Sequence, residues 1–199
     1  GKKNPKHLLK SYQAFNIFMK QTPEDNQTAR RIWKEIAAEY PENDPSLINS
    51  SIGHTYLREA LMRWSKSPKE SMKKANEFAQ KALELDENNS EAYAIIAWIS
   101  LIQRNFEKAV EMIQRAVEVC PNCANVLATY GTIQGIVCNF ETSISLLEKA
   151  IRLNPHPELF YFARLGISYY HVGRYEDAIK ILKKVLQSEI GRASCRERV

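Results

Sequence analysis

Apolar residues recur at helical spacing along almost the whole chain, in paired stretches separated by short polar punctuation. The basic opening, residues 1–9, reads as a linker. Leu8, Tyr12, Phe15 and Met19 then form one face of a first helix that should stop near Gln21. Thr22-Pro23-Glu24-Asp25 reads as the next start, with a capping hydroxyl, proline at the first helical position and an acid to return the capping bond. Its inner face is Ala29, Ile32, Trp33, Ile36 and Ala37. Asp44-Pro45 opens a third helix through Ile48, Ile52, Gly53 and Tyr56. An insertion follows, REALMRWSKS (58–67), which is expected to carry that helix to about Trp64. Ser67-Pro68-Lys69-Glu70 reads as another capping box, ahead of Ala75, Phe78, Ala79 and Ala82.

From there the pattern repeats at a fixed interval. Glu87, Pro121 and Pro155 stand 34 residues apart, as do Ala82, Ala116 and Ala150, and Leu85, Val119 and Leu153. Alanine at 97, 109 and 116 points to helices too close for a larger side chain. Leu127, Tyr130 and Gly131 are followed by Ser143, Leu147 and Ala150; Phe162, Leu165, Gly166 and Tyr169 are followed by Ala178, Leu182 and Val185. Gly173 suits the left-handed residue that ends a helix. The expectation is ten helices and no strand.

Small residues at fixed places in helix pairs of period 34 resemble the tetratricopeptide repeat. That resemblance implies an all-α, right-handed superhelical solenoid of antiparallel helix pairs. About five repeats span 10–188: 10–43 (degenerate), 45–87 (with the insertion), 90–121, 124–155 and 158–188. A narrower resemblance rests on TPEDN, RWSKSPKES and LNPHPELFYFARLGISYYHVGRYEDAI. Together these are similar to the bacterial array at the C-terminus of class III adenylate/guanylate cyclases and of some transcriptional regulators. It implies a catalytic or DNA-binding domain ahead of the repeats. None of the cyclase's metal-binding aspartates or nucleotide motifs lies here, so no catalytic residue carries over. IGRASCRERV, residues 190–199, resembles translated sequencing adapter, and 189–199 is set aside as a non-native tail.

Charge adds little. Residues 190–199 contribute +2 of the formal +5, and the remaining +3 is too scattered to point to nucleic acid. No run approaches the length of a membrane span. With no secretory signal visible, a cytoplasmic location and reduced thiols at Cys120, Cys123 and Cys138 are expected. Cys120-Pro121-Asn122-Cys123 lacks both the strand context of a thioredoxin site and the second ligand pair of a zinc site. His54, His156 and His171 have no carboxylate partner nearby in sequence, and no nucleophile triad, phosphate loop or HExxH is present. No catalytic, metal or cofactor site is therefore expected.

The resemblance places the first helix of each pair on a concave surface. The residues expected to face it are Trp98, Leu101, Ile102, Thr132, Ile136, Ile167, Tyr170 and His171. The lysine/asparagine clamp of chaperone-binding repeats is absent, since Ala94, Trp98, Ala128 and Thr132 stand at those places. The reading is a non-catalytic scaffold whose groove takes a protein or peptide segment or its own N-terminal domain, with no nucleic acid and no membrane contact.

Overall fold

The computed structural model describes the backbone of residues 5–42, 44–155 and 157–196, and the side chains of 6–42, 44–155 and 157–187. The described residues form ten α-helices and no strand: α1 (Pro5–Phe18), α2 (Pro23–Glu39), α3 (Pro45–Leu61), α4 (Pro68–Leu85), α5 (Ser90–Ile102), α6 (Phe106–Val119), α7 (Ala124–Ile136), α8 (Phe140–Leu153), α9 (Leu159–His171) and α10 (Tyr175–Arg196). They divide into two compact units, Gly1–Asn105 and Phe106–Val199, each described below by itself.

Local chemistry sets the helix ends. Thr22 accepts from the Asp25 N–H at 3.1 Å, and its own hydroxyl donates to Asp25 Oδ2 at 2.8 Å. Asp44 accepts from the Leu47 N–H at 3.1 Å, and Asn89 from Ala92 at 2.9 Å. The ends of α1, α3, α5, α7 and α9 share another device. Each is followed by a residue with positive φ: Gln21, Arg63, Arg104, Cys138 and Gly173. In the last four the next N–H reaches back five residues, from Trp64 to Glu59 O, Asn105 to Ser100 O, Asn139 to Gln134 O and Arg174 to Tyr169 O, at 2.8–3.0 Å. This is the Schellman closure, which satisfies carbonyls the helix itself leaves open. Only Gly173 adopts it without a Cβ penalty; the others accept about 1 kcal/mol each.

Several expectations need correction. α1 begins at Pro5, so 5–9 is helix rather than linker. Its buried residues are His7, Ala14 and Phe18, whereas Leu8, Tyr12 and Phe15 are exposed and Met19 half-buried. The helix has apolar residues all round, and the face that wins is the one with small Ala14 and with Phe18, which packs edge-on to Trp33 at 5.6 Å beneath the Arg58 guanidinium. The 58–67 insertion lengthens α3 to Leu61 only; the left-handed turn at Arg63 ends it before Trp64. Ser67 supplies no side-chain cap. Pro68 and the Ser71 N–H bond to Ser67 O (3.1 Å) start α4 instead. α10 runs on to Arg196, into the stretch set aside as a non-native tail: propagating a helix adds a hydrogen bond per residue and needs no tertiary pattern. Cys120 and Cys123 are joined in a disulfide rather than held as two thiols. The turn between α6 and α7 brings their Cα atoms to 5.5 Å, within normal bridging range. His156 and the side chains of 190–199, Cys195 included, lie outside the described residues.

Candidate interaction surface

In the second unit, close backbone approach fixes how α9 is turned. A Cβ on Gly166 would lie 2.6 Å from Leu182 Cγ, so only glycine lets α9 sit this near α10. The Ser143 and Ser168 hydroxyls bond at 2.8 Å between α8 and α9. Leu165 and Tyr169 are thereby directed into a core with Leu127, Leu147 and Tyr161. The Tyr169 hydroxyl donates to Glu148 at 2.6 Å, and Arg174 stands 4.3 Å from its ring centre. Burial, with the Glu148 hydrogen bond adding to it, pushes the phenol up to about 12.

That orientation turns Ile167, Tyr170 and His171 outward, and Tyr170 is 61% exposed. His171 stacks on Phe140 with ring centres 4.3 Å apart and planes 8° from parallel. Tyr170 lies 5.7 Å from His171 and 5.6 Å from Tyr175. Phe140, His171, Tyr170 and Tyr175 thus form an aromatic strip at one end of α9, with Ile167 exposed on the same helix and Ile136 on α7. Phe140 and Tyr175 were not among the expected groove residues. Their signal was in the sequence: an aromatic opens α6, α8 and α10 alike, at Phe106, Phe140 and Tyr175.

The expected row divides between the two units. Ile136, Ile167, Tyr170 and His171 are exposed on the second unit; Trp98 is half-buried and Ile102 exposed on the first. Two members are not surface residues. Leu101 is buried, and Thr132 is buried beside Gly131 with its hydroxyl donating to Ala128 O at 2.8 Å. Leu101 directly precedes the exposed Ile102, whereas Thr132 lies between buried Gly131 and buried Ile133. The row is described as two patches, one on each unit.

The first unit holds a pair that sequence spacing hid. His54 Nε2 and Glu91 Oε2, 37 residues apart, meet at 2.7 Å between α3 and α5. Burial raises the Glu91 carboxyl, but the His54 hydrogen bond and charge outweigh it, and the net displacement is downward. A cleft of about 360 Å³ runs over Ile48 and Ile52, between Tyr40 and Phe78, with Lys34 and Lys81 at its sides. Among the described residues no three His, Cys, Asp or Glu side chains gather in a way that could hold a metal ion.

Models of the tetratricopeptide repeat match residues 90–123 and 162–195. No curated protein matches the sequence. Among solved structures, a thermophilic tetratricopeptide-repeat protein of Thermus thermophilus is 14% identical, with a TM-score of 0.69 and 96% of each chain covered. MamA from Desulfovibrio magneticus is 20% identical, with a TM-score of 0.53, over 94% of this chain and 97% of that one. Pseudomonas aeruginosa pilF is 15% identical, with a TM-score of 0.59, over 91% of this chain and 75% of that one. The class is thus an all-α tetratricopeptide-repeat array, with the fold of the solenoid proteins that carry such repeats. Arrays of this class are interaction scaffolds, because stacked repeats expose long continuous surfaces. Among the described residues no helix is long and apolar enough to cross a membrane.

Proposed function

We propose that the chain is a non-catalytic scaffold that binds a segment of another protein, or of a domain of its own polypeptide, on the outward faces of α7 and α9. The observation that carries this reading is the exposed aromatic strip of His171, Tyr170 and Tyr175 beside Ile167 and Ile136. Rigid aromatics with one open face are the side chains in which binding energy concentrates. The lack of a lysine/asparagine clamp argues for an apolar or aromatic ligand rather than a free C-terminal carboxylate. In this reading the chain is the regulatory C-terminal part of a larger cytoplasmic bacterial signalling protein, and residues 190–199 take no part in binding. The similarity of TPEDN, RWSKSPKES and LNPHPELFYFARL to the arrays of nucleotide cyclases supports a cyclase domain upstream, with a transcriptional regulator as the other setting.

The experiment is a retention assay in which immobilised parent and an Ile167→Ala/Tyr170→Ala variant are offered bacterial lysate and candidate upstream domains. The parent should retain discrete proteins, and the variant should lose about tenfold or more in affinity for them. Equal retention by both would remove these faces as the site.

A further inference from the structure

We propose that the Cys120–Cys123 disulfide is a reversible thiol–disulfide exchange site, opened by thiol reductants and closed again by disulfides, rather than a structural staple. The turn that carries it recurs one repeat earlier without sulfur: Asp86 and Asn89 stand 34 residues before Cys120 and Cys123. Both turns close with the same backbone bonds. The N–H of Asp86 reaches Ala82 O and that of Cys120 reaches Ala116 O, each at 2.9 Å. Asn89 N–H then bonds to Asp86 O at 3.2 Å, and Cys123 N–H to Cys120 O at 3.3 Å. The backbone therefore forms this turn whether or not the sulfurs are joined, and opening the bond asks for no rearrangement of the chain. The bond also joins residues only three apart, so it ties no distant parts together. A loop this short is where a crosslink restrains the unfolded chain least.

Side-chain chemistry at the turn favours opening. In the earlier turn Asn89 caps α5, its side-chain oxygen accepting from the Ala92 N–H at 2.9 Å. Cys123 holds the same place ahead of α7, and as half of a disulfide it makes no capping bond. Val126 stands where Ala92 does, 34 residues on. Released as a thiolate, the Cys123 sulfur stands at a helix N-terminus, where open N–H groups stabilise negative charge and lower a thiol's pKa. From α8, Lys149 Nζ donates to Pro121 O at 3.2 Å and adds a cation beside the turn. Cys120 and Cys123 are half-buried, and Pro121 and Asn122 between them are exposed, so a small reductant approaches from solvent.

The stabilised sulfur sets the order of events. A reductant thiolate attacks Cys120 Sγ. The bond to Cys123 breaks, its electron pair leaves on Cys123, and a new disulfide joins Cys120 to the reductant; the lower-pKa thiol is the better leaving group. A second reductant thiolate then attacks the reductant's sulfur in that mixed disulfide and releases Cys120. In sum, two reductant thiols give up two electrons and two protons and become one disulfide, and the protein pair takes them up as two thiols. An added disulfide drives the same steps in reverse. Among the described residues there is no strand, so the pair has no thioredoxin-like setting and is a substrate of exchange rather than a catalyst of it.

The test exposes the full chain, at neutral pH and without denaturant, to graded mixtures of reduced and oxidised glutathione. Acid quenching, alkylation and peptide mass spectrometry then read the free thiols at Cys120 and Cys123. The pair should pass from disulfide to two alkylated cysteines as the mixture becomes reducing, and should return when oxidised glutathione is restored in excess. Far-ultraviolet circular dichroism should stay unchanged throughout. A pair that opens only in denaturant, one that stays as two thiols in excess oxidised glutathione, or one whose opening melts helix overturns the proposal. A second measurement tests the order of attack. The Cys123 thiol of Cys120→Ser should react with iodoacetamide at neutral pH about threefold or more faster than the Cys120 thiol of Cys123→Ser. Equal rates, or a faster Cys120, overturn the assignment of Cys123 as the leaving group.

Discussion

The two units reach the same helix-pair architecture through different chemistry. In the first, side-chain hydrogen bonds tie helix to helix. Arg30 donates to the Thr55 hydroxyl at 2.8 Å and also pairs with Glu59; Asn26 donates to Thr55 O at 3.0 Å. Ser46 donates to Ala82 O at 2.9 Å, and Asn89 donates to Ser46 and Ser50 at 2.8 and 3.3 Å. In the second, Leu127, Leu147, Tyr161, Leu165 and Tyr169 form a mainly apolar cluster, and glycines let the helices close on it. Repeat models match 90–123 and 162–195, where apolar and small residues keep their spacing. Apolar periodicity is a weak reporter of a helix pair stapled by polar groups, because the staples join residues about 30 apart that carry no local pattern.

If that contrast is right, the first unit should be most sensitive to loss of a polar partner. Arg30→Ala strips Thr55 and Glu59 of their shared donor in a largely buried setting. It should cost about 3 kcal/mol in urea unfolding. A loss within error of zero would mean that the α2–α3 staple is not what holds this unit.

The second unit should instead be most sensitive to volume. A Cβ on Gly131 would lie 2.8 Å from Leu147 Cγ and 3.1 Å from Ser143 O. Gly131→Leu should therefore cost about 2 kcal/mol through overpacking. Thermal unfolding unchanged from the parent would show that α7 and α8 are not in the close contact described.

A smaller effect is tied to pH. The folded Glu91 carboxyl lies below its ordinary value of 4.5 because the hydrogen bond and charge of His54 more than offset its burial. Its stabilising contribution is present above that ordinary value and is lost as pH falls through the lower folded value. Between about pH 5 and 3 the parent should lose more stability than Glu91→Gln, by about 1 kcal/mol or less. Identical pH profiles for the two proteins would rule out the His54–Glu91 link as a contributor.

The periodic part of the fold was legible in residues themselves. Ala82, Ala116 and Ala150, with Gly131 and Gly166, mark where helices approach closely, and all five are buried. Thr22 and Asp44 announced two helix starts that the hydrogen bonds bear out. α1 was misread because its apolar residues offer more than one face, and periodicity alone does not say which face a partner covers. The left-handed turns were legible once, at Gly173, since Arg63, Arg104 and Cys138 adopt the same conformation without the residue that signals it. The outward residues of α9 were legible from the helix register. Leu101 and Thr132 were not: Leu101 is one residue short of the exposed Ile102, and Thr132 falls in the buried run 131–134 of α7, which faces its neighbours. His54 with Glu91 was invisible because its partners are brought together only by packing α5 on α3.

The central claim is that the outward aromatic face of α9 is where a protein partner binds. A photo-crosslinking residue placed at Tyr170 tests it most directly, with one at Glu111, exposed on α6, as the control. Irradiation in cells should link the Tyr170 position to one or a few discrete proteins and leave the Glu111 position unlinked to them. The same proteins captured equally from both positions, or from Glu111 alone, would contradict the account.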